Sequence, residues 1–330
     1  MSLASLGEFG LIARIRQAVS DPAELRLGIG DDCAAVVPPP GELLLTTTDL
    51  LIEGVHFRRD WTSARDLGRK SVAVNVSDIA AMGGTPRQIF LGVGLPADFA
   101  LAQIQEFLDG VLEATAEYGA ALAGGDTCRS PGPLFISVTA QGSVPPEELL
   151  TRGGARPGDA IYVSGTLGDS ALALRQLQAG SLPPPELARR HHDPRARVAL
   201  GRQLAAGRLA SALIDLSDGL LGDLGHILEA SGVGALLFPE SLPLSAPVRL
   251  ALPERRAQQE LALTGGEDYE LLFTVPAAQE GALAALAAAG LALTRIGEIA
   301  AEPGLKLLAA DGSTLPLPTG GFKHFASAGR

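Results

Sequence analysis

Twice along this chain, short apolar runs alternate with amphipathic segments. Between the two series lies a polar, Pro- and Gly-rich join from Ser143 to Asp159 that contains VPPEELLTRGGARPGD. Alternation of this kind restricts each half to layered α/β structure, and a join of this composition marks a domain boundary. At 330 residues the chain exceeds the usual span of one core, so two domains are expected, residues 1–146 and 147–330. The 40 Gly and 23 Pro stand singly or in pairs between apolar runs, as turn punctuation does, and 46% hydrophobic residues supply ample burial. A disordered or collagen-like chain is excluded.

With 26 Lys plus Arg against 37 Asp plus Glu, the net charge is -11, so the general field repels nucleic acid and anionic membrane. An anionic ligand must then be met locally, by metal or backbone. Cys33 and Cys128 are the two cysteines, too few for a disulfide framework, and they read as small buried hydrophobes in a reducing, cytoplasmic setting. The N-terminus lacks a signal peptide's basic start; Ser5 to Glu8 reads as a capping box opening an amphipathic helix. The longest greasy segment, Ala282 to Leu293, is too short to span a bilayer, so no membrane insertion is expected.

In the first half, Ala34–Val37 and Leu43–Thr48 read as a hairpin, the second strand ending on Asp49. A helix is predicted from near Ser63 to Met82, where Asn75 and Asp78 share a face. A strand over Ile89–Leu95, a helix over Ala100–Tyr118, a strand over Ala120–Ala123 ending in Gly124-Gly125-Asp126, and a strand over Leu134–Gln141 follow. In the second half, strands are predicted at Ala160–Ser164, Ala212–Ile214, Gly234–Phe238, Tyr269–Val275 and Leu293–Ile299. Helices are predicted after Gly168, over Leu220–Ala230 and near Gln279–Ala289.

The aspartates carry the chemical signal: Asp31, Asp32, Asp49, Asp78, Asp126, Asp215 and Asp218 fall in Gly-, Ser- or Thr-bearing turns at element ends or on one helix face. Seven gathered carboxylates would repel one another unless cations sat among them, and Mg²⁺ sharing phosphate oxygens suits an all-oxygen shell. Taken singly, an Asp between strand and helix reads as an N-cap, and Asp169 and Asp218 suit that role. Asp49 follows a strand with no clear helix start, and Asp78 lies within a helix, where Asp has poor propensity. Collectively the set favours metal binding, with Thr47 and Thr48 beside Asp49 as further oxygen donors.

Other hardware is missing. Gly28-Ile29-Gly30 lacks the third glycine of a dinucleotide fingerprint, and there is no Walker A loop, no HExxH and no G-x-S-x-G elbow. A nucleotide site would need metals, the backbone N–H groups of Gly124-Gly125 and an arginine such as Arg152. His191-His192 read as a solvated helix lead-in.

Together the motifs resemble the thiamine-monophosphate kinase family, within the superfamily of aminoimidazole ribonucleotide synthetase and selenophosphate synthetase. The resemblance rests on GIGDDCAAV, TTTDLLIEGVHF, AVNVSDIAAMGGTP, AGGDTCRS, LTRGGARPGDAIYVSGTLGDSA, SALIDLSDGLLGDLGHI, LTGGEDYELLFTV and GGFKHF, in that order over nearly the whole chain. It implies an N-terminal mixed sheet that pairs across a homodimer and a C-terminal α/β domain that completes an active-site cleft. It implies several Mg²⁺ ions on Asp32, Thr47, Thr48, Asp49, Asp78, Asp126, Asp215 and Asp218. ATP contacts are implied at Gly125, Asp126, Arg152 and Ser217, and thiamine-monophosphate contacts at His56, Glu267 and Phe322.

Without the resemblance, His56 reads as a strand-end histidine, Glu267 as a solvated turn carboxylate and Phe322 as a tail anchor. With it, a carboxylate and an aromatic face suit the fixed positive charge of a thiazolium. The acceptor is a phosphate monoester with a second pKa of about 6, so its oxygen attacks without a general base. Direct in-line transfer with no catalytic protein base and no phospho-enzyme is expected. The rival expectations are another ATP-dependent member of the superfamily and a non-catalytic Mg²⁺-nucleotide sensor.

Overall fold

In a computed structural model, residues 3–19, 24–29 and 33–318 are described. The chain forms two compact units, one of Met1–Ala80 with Gly84–Leu149, the other of Ala81–Gly83 with Leu150–Arg330. No helix among the described residues is long and apolar enough to cross a membrane.

The first unit contains α1 (Leu3–Ala18), β1 (Leu25–Leu27), β2 (Ala35–Val36), β3 (Leu43–Ile52), α2 (Ala64–Ala81), β4 (Thr85–Leu95), α3 (Leu101–Glu117), β5 (Ala121–Arg129) and β6 (Phe135–Val144). Its mixed sheet has the order β3-β6-β4-β5, with β4 and β5 parallel and the other neighbours antiparallel. Four expectations give way here. The expected hairpin does not form, because β2 pairs with β1 and β3 pairs with β6. Asp49 lies inside β3 rather than at its end. Gly124-Gly125-Asp126 lies inside β5, where the parallel ladder with β4 overrides the local turn signal. Helix α1 begins ahead of Ser5, so the Ser5 to Glu8 box does not open it.

Helix α3 buries Ile104, Phe107, Leu108, Val111 and Ala114, the i, i+3, i+4, i+7 stripe that lays a helix on a sheet. Where α3 meets α2 there is no room for side chains. A Cβ on Gly68 would stand 2.1 Å from the Phe107 carbonyl oxygen, and one on Gly110 would stand 2.0 Å from that of Arg65. Each helix thus presses a glycine onto the backbone of the other.

The second unit contains β7 (Ala160–Ser164), α4 (Asp169–Gln178), α5 (Pro185–His192), α6 (Val198–Ala206), β8 (Ala212–Asp215), α7 (Leu220–Ser231) and β9 (Gly234–Leu237). It continues with α8 (Ala246–Ala251), α9 (Arg255–Thr264), β10 (Leu271–Val275), α10 (Glu280–Ala288), β11 (Leu293–Ala300), β12 (Gly304–Leu308) and β13 (Thr314–Leu315). The sheet order is β13-β12-β9-β11-β7-β10-β8, parallel only between β9 and β12. Both faces are covered: Leu272 packs in one cluster with Leu224 and Ile227 of α7, and Leu271, Phe273 and Val275 in another with Leu204 of α6 and Leu283 of α10. That explains why β10 is buried along its whole length and reads as a continuous apolar run.

Both cysteines are exposed and free, contrary to the expectation of burial.

Gly110→Ala would ordinarily stabilise an exposed helix by about 1 kcal/mol. At this crossing the methyl group must displace backbone, and a loss of about 2 kcal/mol is expected instead. Urea denaturation of the variant reads the sign directly.

Candidate functional site

In the first unit, α2 delivers two polar side chains to β3. The Thr47 hydroxyl donates to Asp78 Oδ2 at 2.5 Å, and the Asp49 amide donates to Asn75 Oδ1 at 3.0 Å. Asn75 is itself oriented by donating Nδ2 to the Ser71 carbonyl at 3.0 Å. The expected shared face of Asn75 and Asp78 therefore serves a purpose: both reach the same strand. Burial, reinforced by the charge of Asp78, pushes the Asp49 carboxyl up to about 6. Two carboxylates and a hydroxyl crowded this way are hard oxygen donors under mutual repulsion, a donor set that suits a divalent cation such as Mg²⁺.

The remaining first-unit candidates are not brought to this pair. Thr48 turns to the opposite face of β3, where its hydroxyl donates to the Val138 carbonyl at 3.0 Å and accepts from Thr139 at 3.1 Å. Register places Asp49, Val138, Leu91 and Gly125 in one row, and Leu50, Ser137, Gly92 and Asp126 in the next. Neighbouring rows face opposite sides, so Asp126 shares the side of Leu50, not that of Asp49. Gly125 lies three strand spacings from Asp49, roughly 14 Å. A Cβ on Gly125 would stand 1.9 Å from the Leu91 carbonyl oxygen, so strand packing alone requires glycine there.

His56 follows β3, its Nδ1 accepting from the Ile52 amide at 3.1 Å. Beside that turn lies an open depression of about 600 Å³ lined by Glu53, Gly54, Arg58, Arg59, Asp60 and Asp98. Its arginines are engaged: Arg59 bonds Glu53 at 2.6 Å and Asp98 at 3.0 Å, and Arg58 bonds Asp60 at 2.6 Å.

In the second unit, Asp215 ends β8 and is buried, Arg152 is exposed, and Ser217 and Asp218 form the turn into α7. The side chain organising that turn was not singled out from the sequence. Asp223 Oδ2 accepts the amides of Ser217 at 3.1 Å, Asp218 at 3.2 Å and Gly219 at 3.1 Å. Burial first, and Asp218 second, push the Asp223 carboxyl up to about 7. The available signal was an acid one turn inside a helix that follows a Ser-Asp-Gly turn. Glu267 joins the same turn, its amide donating to the Ser217 carbonyl at 2.8 Å.

Behind Glu267 lies a buried ionic network. Fully buried Glu270 accepts from Arg190 at 2.7 Å, from Arg197 Nε at 2.7 Å and from Ser164 at 2.5 Å. His191 is buried on α5, not solvated as its sequence context suggests. Asp32 and Phe322 lie outside the described residues. Among the described residues, no three His, Cys, Asp or Glu side chains gather closely enough to hold a metal ion by themselves.

Asp223→Ala removes the buried acceptor shared by three amides, of which only that of Gly219 belongs to a buried residue, and should cost about 2 kcal/mol. Asp223→Asn keeps an acceptor oxygen and should cost less than half as much; urea denaturation of the two variants checks the ratio.

Comparison with known proteins bears on the whole chain. The family model described as AIR synthase related protein, N-terminal domain, matches residues 30–144, and that for the C-terminal domain matches residues 156–309. The thiamine-monophosphate kinase of Escherichia coli K12 is 44% identical over 97% of this chain and 99% of its own length. The crystal structure of thiamine-monophosphate kinase from Stenotrophomonas maltophilia K279a superposes with a TM-score of 0.84 at 45% identity, covering 96% of this chain and 99% of that one. AaThiL complexed with AMPPCP and TMP superposes with a TM-score of 0.76 at 36% identity, covering 98% and 99%. The motif order read along the sequence, the two α/β units and these full-length similarities agree: the chain belongs to the thiamine-monophosphate kinase family of AIR synthase related proteins.

Proposed function

We infer that this protein phosphorylates thiamine monophosphate to thiamine diphosphate, transferring the γ-phosphate of ATP directly to the acceptor. Full-length similarity to thiamine-monophosphate kinases, one of them bound to AMPPCP and TMP, supports the activity. The observation that carries the chemistry is the Asp49–Asp78 pair, whose crowded oxygens suit the Mg²⁺ that accompanies ATP. Thr47, Asp49 and Asp78 in the first unit, and Asp215 and Asp218 in the second, are the residues we assign to Mg²⁺. Family resemblance alone adds Asp32, Thr48 and Asp126 to the Mg²⁺ assignment; Thr48 and Asp126 lie on the other face of the sheet from Asp49, so they would not share an ion with the Asp49–Asp78 pair of the same copy. When bound, Mg²⁺ neutralises phosphate oxygens and lowers the repulsion between the two anionic reactants.

The protein's own part is placement. Ser217 presents backbone in a turn pinned by Asp223, and we assign it, with Gly125, Asp126 and Arg152, to ATP. His56, Glu267 and Phe322 are assigned to the acceptor, Glu267 facing the thiazolium charge. The acceptor phosphate is largely ionised near neutral pH, so no side chain needs to remove a proton and no phospho-enzyme forms.

A homodimer formed through the first-unit sheet is part of this reading. Leu44 and Leu50 lie on the outer face of edge strand β3, 51% and 49% exposed, flanking exposed Thr46 and Thr48, and a second copy would cover the two leucines. Cytoplasmic residence is also part of it, supported by the two free, exposed cysteines.

Incubation with Mg-ATP and thiamine monophosphate should yield thiamine diphosphate and ADP in equal amounts. Turnover of a different acceptor would move the assignment to a sister activity, and ATP binding without turnover would make the protein a sensor. Asp49→Asn should lower kcat by about a hundredfold or more with an unchanged circular dichroism spectrum, the scale set by loss of one electrostatic stabiliser. Leu50→Glu should shift the sedimenting species from dimer to monomer.

A further inference from the structure

The segment Gly265–Glu270 is held in a conformation that its own residues do not favour. Glu267 has φ 63° and Tyr269 φ 49°, both in the left-handed region that side chains other than glycine rarely adopt. Such geometry persists only where the surroundings over-determine it, and it gathers at ligand-binding positions. Here the surroundings are specific. The amides of Glu267 and Tyr269 donate to the carbonyls of Ser217 and Leu216, each at 2.8 Å, and both oxygens of buried Asp268 accept from the Gly168 amide, at 3.1 and 2.9 Å.

Two successive residues at the end of α5 grip the two ends of the strained stretch. Arg190 Nη2 donates to Glu270 at 2.7 Å and to the Thr166 carbonyl at 3.3 Å. On the other side, His191 Nδ1 lies 2.9 Å from Ser170 Oγ and 3.5 Å from Glu267 Oε2. A proton on Nδ1 serves both neighbours, because the Ser170 hydroxyl oxygen can accept and the Glu267 carboxylate can only accept. The imidazole is buried and held edge-on by His192, with ring centroids 5.0 Å apart, so it has little freedom to follow a moving carboxylate.

We propose that His191 is a positioning residue for acceptor recognition: with Ser170 behind it, it fixes the Glu267 carboxylate where the cationic ring of the acceptor is received. The proposal rests on the kinase reading above, in which Glu267 meets the acceptor. His191 touches neither reactant; it acts through Glu267. The backbone bonds from Glu267 and Tyr269 to the Ser217 turn do not depend on the imidazole, so its loss should be felt by the acceptor and not by ATP.

Steady-state kinetics on the full-length protein separate the possibilities. His191→Ala should raise KM for thiamine monophosphate about tenfold, while kcat and KM for ATP stay within about twofold, the pattern of lost uniform binding. His191→Asn, which restores an N–H near the Nδ1 position, should recover most of the loss. In a Glu267→Gln background, His191→Ala should add nothing, since the two residues act on one contact. Equal rises in both KM values, no recovery with Asn, or a full penalty persisting beside Glu267→Gln would each overturn the proposal.

Should His191→Ala fail to fold, Ser170→Ala leaves the ring in place and removes its anchor. It should raise the same KM by a smaller factor, and no rise would be equally fatal. A wild-type protein inactive on thiamine monophosphate removes the kinase reading and this proposal together. An active wild type with unaltered variants removes only the proposal.

Discussion

Carboxylates withdrawn from water set the terms on which both units are built. A buried carboxylate must find donors or suffer a desolvation cost of several kcal/mol. In the second unit the donors are supplied by the chain: two guanidinium groups and a hydroxyl for Glu270, three amides for Asp223, one amide for both oxygens of Asp268. Those acids hold loops in place. In the first unit Asp49 and Asp78 face each other across a strand and a helix, and the pressure on Asp49 shows in its raised proton affinity. Burial raises Asp223 and Asp268 as it raises Asp49, so proton affinity does not separate the two groups. The difference is that Asp223 and Asp268 spend their oxygens on backbone amides of loops, whereas Asp49 and Asp78 join a strand to a helix.

The same residues show why some of the candidate site was legible in the sequence and some was not. Asp49 and Asp78 stood out because neither position suits an N-cap, and Asn75 and Asp78 shared a helix face; the structure uses both helix residues on β3. Asp223 and Glu270 were passed over because nothing local distinguishes an organising acid from a solvated one: their donors come from a turn that folds back and from helices far along the chain. His191 in the polar run Arg189-Arg190-His191-His192-Asp193 looks solvated, yet tertiary packing buries it. Helix α5 escapes the sequence reading for a related reason, since it is strongly polar and buries only Leu187 and His191.

The fold was read best where burial is one-sided or complete. Helix α3 and strands β7, β8, β9, β10 and β11 fall close to their expected places, because their apolar spacing reports the layer they cover. Errors gather where a long-range ladder competes with local turn chemistry. Gly124-Gly125 looks like the end of a strand, but the chain runs straight through it. Glycine is needed there because the Leu91 backbone approaches closely, not because the chain turns. Likewise Pro38-Pro39-Pro40-Gly41 suggests a hairpin, but β3 has a longer partner in β6, with ten paired positions.

The glycine contact between α2 and α3 has an effect well beyond the two helices. Gly68 is ten residues from Asp78, about 15 Å along the axis. With carbonyls seated against Gly68 and Gly110, α2 has no slack in which to slide. Asp78 therefore cannot ease its repulsion with Asp49 by drifting away from β3. A rigid crossing at one end of a helix keeps two like charges confined at the other, much as a bolt at the hinge keeps a spring compressed at the latch.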